Sequence, residues 1–222
     1  MNILINKLHF PVTVLGPGRR IGIWVQGCSI GCKGCISQDT WPRDESKALA
    51  VAELLAWCEQ ISGHALDGVT ISGGEPFDQP AALNELLRGL ARWRERRKLD
   101  FDILCYSGYP LATLRERHSA LLGRLDAVIA EPYIDALPSA HPWCGSANQK
   151  LTLLSARGRR RLAAQAGQPS AGSIAPHGKR IQALVDGQRV WYVGIPARGD
   201  MARLEELCRA RGVDFAQVSW RS

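Results

Sequence analysis

No stretch of eighteen or more apolar residues occurs in the chain, so no segment has the length to cross a bilayer as a helix. The opening Met1-Asn2-Ile3-Leu4-Ile5-Asn6-Lys7 also lacks the basic start and long apolar core of a secretory signal. A cytoplasmic protein without membrane contact is the expectation. No internal repeat is visible, which excludes solenoid and propeller architectures. The five histidines (His9, His64, His118, His141 and His177) show no ligand spacing and are read as surface or cap residues. Paired cysteines are lacking too. Seven is an odd number, and in a reducing compartment it suits metal or redox chemistry better than a disulfide framework.

What is present sustains one sizeable core: 222 residues, 45% hydrophobic and 22% charged. The net charge of +7 has two local sources, Arg92–Lys98 and Arg157–Arg161. Such runs are common surface features, and they are read here as a solvated helix end and a basic loop rather than a nucleic-acid interface.

The pattern alternates strand and helix. Ile21–Val25 reads as a buried strand that feeds a glycine-punctuated loop, Gly27–Gly34. A helix is expected over Lys47–Ile61, a strand over Gly68–Ser72 and a helix over Pro80–Lys98. A strand over Phe101–Tyr106, a helix over Leu111–Leu122 and a strand over Ala127–Ala130 follow. Strands separated by helices of this length imply βαβ units, a parallel sheet, and ligands gathered at the carboxyl ends of the strands. Every glycine- or cysteine-rich motif lies just after an expected strand. Three divisions result: residues 1–155 as the core, 156–179 as a flexible basic and Gly-Pro-Ser loop, and 180–222 as a C-terminal α/β extension packed on the core. The extension is expected to hold two strands (180–185 and 190–193), a helix (201–211) and a last strand (214–220).

Cys28-x3-Cys32-x2-Cys35 places three thiols on one short loop, with Gly27, Gly31 and Gly34 allowing the backbone to turn sharply. Soft sulfur ligands suit zinc or an iron–sulfur cluster. A structural zinc site needs four protein ligands, and a fourth would have to be an isolated residue such as Cys58 or one of the histidines. Three cysteines can instead hold a 4Fe–4S cluster with one iron open. Spacing alone leaves both alternatives standing. Ser72-Gly73-Gly74-Glu75-Pro76, at the end of the next strand, adds a carboxylate able to accept from an ammonium. Cys58, Cys105 and Cys208 read as core, and Cys144 as a small buried hydrophobe. Trp24 and Trp191 read as core too, Trp41 as a shield beside the cysteine loop, and Trp220 as packing the tail back.

Together these residues resemble the radical S-adenosylmethionine superfamily, whose pattern is the same triplet followed by a GGE-type strand end. The closer resemblance is to the anaerobic ribonucleotide reductase activating enzymes of the glycyl-radical activase group. It rests on Pro11–Arg19 (PVTVLGPGR), Gly27–Trp41 (GCSIGCKGCISQDTW), Tyr106–Tyr109 (YSGY) and Gly145–Gln149 (GSANQ), collinear over residues 10–150. The resemblance implies a partial (β/α) barrel and a 4Fe–4S cluster on Cys28, Cys32 and Cys35. It also implies S-adenosyl-L-methionine held by Gly73, Gly74 and Glu75, with Tyr106, Ser107 and Asn148 near the cofactor or substrate channel. It further implies an electron donor such as flavodoxin or ferredoxin, and a glycyl-radical partner enzyme or a peptide as substrate. The chain departs from the family at Ile36, where an aromatic is common, at Trp143-Cys144, where an arginine is expected, and in the tail beyond residue 155.

Overall fold

The computed structural model describes residues 1–63, 65–166, 178–186 and 189–220. His64, His177, the Gly-Pro-Ser stretch at 167–177 and the hairpin turn at 187–188 lie outside the described residues. Within them, no helix is long and apolar enough to cross a membrane.

The fold is mixed α/β, built on one seven-stranded sheet. Its strands are β1 (Asn2–Val12), β2 (Arg20–Val25), β3 (Ala48–Ala50), β4 (Gly68–Gly73), β5 (Asp102–Tyr106), β6 (Ala127–Ala130) and β7 (Lys150–Leu153), in the order β3-β1-β2-β4-β5-β6-β7. Strands β2, β4, β5 and β6 are mutually parallel, as the alternating pattern implies. The flanks are antiparallel: β1 pairs with β2, β3 with β1, and β7 with β6. Strand β7 was not anticipated, because its KLTL stretch is short and carries no turn signature of its own.

The helices are α1 (Val51–Ser62), α2 (Pro80–Arg96), α3 (Leu111–Arg117) and α4 (Ser119–Leu122). The expected helix from Lys47 begins only at Val51, since Ala48–Ala50 pair with Asn2–Leu4 as an edge strand. The expected single helix over 111–122 is broken at His118, whose φ of −133° leaves the helical range. One face of the sheet presents Ile21, Ile23, Val69, Ile71, Ile103 and Val128. These pack on Leu54, Leu83, Leu86, Leu87 and Leu90 of α1 and α2. Each such buried side chain contributes roughly 1.5–3 kcal/mol.

The other face carries Trp24, Leu104, Tyr106, Ala127 and Ile129, and residues beyond 130 cover it. Trp143, Cys144 and Leu162 pack on its β5–β6 side. On the β1–β2 side, Val193 joins Val12, Val14, Leu15 and Trp24. Leu162 belongs to α5 (Ala156–Ala166), so the first part of the expected loop at 156–179 is a helix. Ser155 caps it by accepting from the N–H of Gly158 at 2.9 Å, and its Arg- and Ala-rich composition favours helix. The basic run within it is solvated only in part, Arg159 and Arg160 being exposed while Arg157 and Arg161 turn toward the core. Arg157 pairs with Asp100, and Arg161 with Asp67, Asp100 and Asp102. The extension continues as β8 (Ile181–Asp186), β9 (Arg189–Gly194) and α6 (Asp200–Arg209). Residues 214–220 form no strand, for no neighbouring strand edge pairs with them.

Arg20, at the amino end of β2, is fully buried. Its guanidinium donates to both carboxylate oxygens of Asp102 (3.2 and 2.6 Å), to Thr70 Oγ1 (2.7 Å) and to the Val69 carbonyl (3.1 Å). One side chain thereby ties β2, β4 and β5 at the end opposite the cysteine loop. Removing one partner of such a pair leaves a buried charge. Asp102→Ala is expected to cost about 3–5 kcal/mol in urea denaturation. Glu45→Ala, which breaks an exposed pair with Arg43, is expected to cost under about 1 kcal/mol.

Candidate functional site

The cysteine loop leaves β2 at Gln26 and returns at Pro42. Gly27, Gly31 and Gly34 all have left-handed φ, of 98°, 59° and 79°, a region side chains with a Cβ rarely enter. Cys28, Cys32 and Cys35, all half-buried and free, lie on this loop. The loop is closed by backbone bonds from Gly27 N–H to Thr40 (2.7 Å) and from Cys28 N–H to Trp41 (3.0 Å).

Burial pushes the Cys28 thiol up, with the nearby Glu75 and Cys35 charges adding to it. Burial also raises Cys35, against hydrogen bonds from the Ser37 N–H (3.4 Å to Sγ) and the Trp41 side chain. Burial thus disfavours the thiolate forms of Cys28 and Cys35 in the protein alone, and a bound cationic centre would offset that. Among the described residues no three His, Cys, Asp or Glu side chains converge as a donor set for a single metal ion. Cys58 is deep in the core with its thiol raised to about 12 by burial, so it offers no fourth ligand to a tetrahedral zinc. Three half-buried thiols on a pliant glycine loop fit a cluster that takes three cysteines.

The second motif lies directly against the first. Parallel pairing sets Val25 opposite Gly73, so both chains leave the sheet at the same level. Gly74 N–H donates to the Val25 carbonyl and Glu75 N–H to the Gly27 carbonyl, each at 2.9 Å. A Cβ on Gly74 would overlap the Gly27 carbonyl, so only glycine permits this approach.

Glu75 differs from its expected role. Its carboxylate is 1% exposed and already accepts from Ser107 Oγ (2.9 Å), Gly108 N–H (2.7 Å) and Phe77 N–H (3.0 Å). It knits the end of β4 to the end of β5 rather than standing open to an ammonium. What this motif presents toward the loop is its glycine backbone. Burial raises the Glu75 carboxyl to about 7, outweighing these three donors.

Ser107 thus reaches the site through Glu75. Tyr106 points to the opposite face, where its hydroxyl donates to the Trp143 carbonyl at 3.0 Å and burial pushes the phenol well above its usual range. Asn148 sits in the turn that follows. Its Nδ2 donates to the Pro132 carbonyl (2.8 Å), and its Oδ1 is buried with no partner among the described residues, an acceptor a ligand could use. Gln149 holds that turn by accepting from the Gly145 N–H at 2.8 Å. Cys105 and Cys144 are core residues as expected, whereas Cys208 is half-buried.

Asp78, which the sequence did not single out, is a principal anchor. Its carboxylate accepts from the Ser29 N–H (2.8 Å), Ser29 Oγ (2.9 Å) and the Tyr109 hydroxyl (2.7 Å), so it pins the front of the cysteine loop. Its position three residues beyond Glu75 was the signal available.

The family model for the 4Fe-4S single cluster domain matches residues 14–152. The chain is 33% identical over 152 residues to the anaerobic ribonucleoside-triphosphate reductase-activating protein of Vibrio cholerae, covering 64% of this chain and 92% of that one. It is 29% identical over 138 residues to the protein of that name from Enterobacteria phage T4, covering 62% and 86%. Among solved structures, QueE from Escherichia coli aligns with 59% of this chain and 70% of its own, at a TM-score of 0.42 and 21% identity, a likeness too distant to carry weight.

Glu75 supplies a pH test. Its carboxyl is raised on folding, so the native state holds the proton more tightly than the unfolded chain. Stability attributable to it is greatest below about 4.5 and falls, by about 3 kcal/mol in all, as pH rises through about 7. Glu75→Gln cannot ionise and should flatten this part of the profile of urea midpoint against pH; an unchanged slope would count against the assignment.

Proposed function

The chain belongs to the 4Fe-4S single cluster domain family and to the activase group represented by the anaerobic ribonucleoside-triphosphate reductase-activating proteins. On that premise we propose that it is a radical S-adenosylmethionine enzyme of activating type, which generates a glycyl radical on a partner enzyme. The observation that carries this reading is the backbone junction between the two motifs. The strand ends that lead into Cys28–Cys35 and Gly73–Glu75, some forty residues apart, are joined at the rim of the parallel strands, Gly74 N–H donating to the Val25 carbonyl and Glu75 N–H to the Gly27 carbonyl.

Cys28, Cys32 and Cys35 would hold a 4Fe–4S cluster. Bound there beside S-adenosylmethionine, that cluster supplies the single electron whose transfer yields methionine and a 5′-deoxyadenosyl radical. The chain's own residues bind and orient. The backbone of Gly73 and Gly74 faces the loop and presents the polar groups for the methionyl amine. Glu75 fixes that backbone against β5 through Ser107 and Gly108, and so acts by positioning. Asn148 Oδ1 offers an acceptor on the neighbouring turn. The Trp41 side chain hydrogen-bonds the Cys35 sulfur and so helps to orient it. The sheet and its helices, as a partial (β/α) barrel over residues 1–155, supply the rigid platform. A reduced flavodoxin or ferredoxin is the class of electron donor the chemistry calls for.

A second reading keeps the chemistry and changes the substrate to a peptide or small molecule. It is favoured by the extension, residues 180–222, which lies outside the family match at 14–152.

Anaerobic reconstitution is expected to load about four iron and four sulfide per chain. Cys28→Ala, Cys32→Ala or Cys35→Ala should each abolish cluster loading and 5′-deoxyadenosine formation. Stoichiometric zinc without iron would overturn the reading. Turnover with an anaerobic reductase subunit or with candidate peptides, followed by where label appears, separates the two substrate classes.

A further inference from the structure

The rear of the cysteine loop is not held by the core. Its front is pinned to Asp78, but residues 35–38 meet something different. Among the described residues, the hydrogen bonds that tie 35–38 to anything outside the loop both go to Ser219, about 180 residues further along the chain. The Gln38 N–H donates to the Ser219 carbonyl at 2.9 Å, and Ser219 Oγ donates to the Ile36 carbonyl at 2.8 Å. This two-point clasp grips the backbone on either side of Ser37, whose N–H bonds the Cys35 sulfur.

Ser219 is itself held. Trp220 packs edge-on against Tyr192 and Phe215, with ring centroids 6.3 and 6.2 Å apart, and its indole N–H donates to Glu205 at 2.6 Å. These residues come from β9, α6 and the segment after it. The hairpin beneath them is fastened to the core by Gln182, which accepts from the Thr13 N–H at 3.0 Å and donates to the Pro11 carbonyl at 2.8 Å. Val193 adds apolar packing on Val12, Val14, Leu15 and Trp24. A continuous set of contacts thus runs from the core, through the extension, back to the residue after the third cysteine.

We infer that the C-terminal extension is a working part of the cysteine-loop site, and that Ser219 is a positioning residue which fixes the backbone beside Cys35. The inference rests on the reading of Cys35 as a cluster ligand. A glycine-rich loop with three left-handed residues has many alternative shapes, and each bond that pins it removes some of them. The family match ends at residue 152, so a chain of the family's matched extent would leave the Gln38 N–H and the Ile36 carbonyl to water or to a partner. Here the chain supplies that partner itself.

The experiment uses the full-length protein in two states. In the cluster-free protein, pulse alkylation with iodoacetamide, read by peptide mass spectrometry, compares Cys35 with Cys28 in the same molecules. Ser219→Ala removes the Oγ bond and is expected to raise the Cys35 to Cys28 ratio roughly threefold to tenfold, the range for loss of one net hydrogen bond. Trp220→Ala should move it in the same direction. Ser219→Thr keeps the hydroxyl and should restore the wild-type ratio. A ratio unchanged in Ser219→Ala, or a rise at Cys28 equal to that at Cys35, would overturn the inference.

In the reconstituted protein, iron release to a ferrous chelator should follow the same order of variants. Wild-type release from Ser219→Ala would overturn the claim that the clasp serves the ligand. If the wild-type chain takes up no iron, the cluster reading itself fails, while the alkylation ratio still decides the clasp.

Discussion

The guanidinium of Arg20 is the constraint on which the site depends. Buried and bonded to Asp102, Thr70 and the Val69 carbonyl, it admits one mutual alignment of β2, β4 and β5. A slip of any of the three strands would strand a charge in the interior. Relative to apolar residues of the same volume such a pair adds little net stability; its weight falls on the misaligned alternatives. With the amino ends of the strands so tied, their carboxyl ends are set as well. Val25 stands opposite Gly73, and the cysteine loop and the glycine motif emerge side by side.

At that rim the two carboxylates of the GGEPFD stretch divide the labour. Glu75 turns inward and joins β4 to β5 through Ser107 and Gly108, while Asp78 turns toward the loop and takes Ser29 and Tyr109. Glu75 is buried and Asp78 is engaged by three donors, so neither stands as a free general base. Their effect is to immobilise backbone. Burial raises the Cys28 and Cys35 thiols, so a positive centre bound there would have to offset the cost of forming their thiolates.

Much of this was legible in the chain. The period of the apolar residues set the parallel strands within a residue or two, because burial on both faces leaves near-continuous Val, Ile and Leu runs. The cysteine triplet and the GGE stretch stood out because few other chemistries use those residue types at that spacing. The edge strands β3 and β7 did not stand out. Three or four residues carry too little pattern, and their strand character comes from the neighbour that pairs with them. The basic run at 157–161 was misleading for a similar reason. The charges of Arg157 and Arg161 are met by Asp67, Asp100 and Asp102, residues distant in sequence that only the packing of α5 brings near.

The sequence by itself determined the candidate cysteine set, the alternation of the parallel strands with their helices and the family, since each depends on residue type and local spacing. Tertiary structure alone decided how those pieces serve one another. It placed Glu75 inward, gave Asp78 the front of the loop and brought Ser219 to its rear. These are pairings across tens to nearly two hundred residues, set by which buried donors and acceptors must find partners once the sheet has closed over them, and no local pattern encodes that matching.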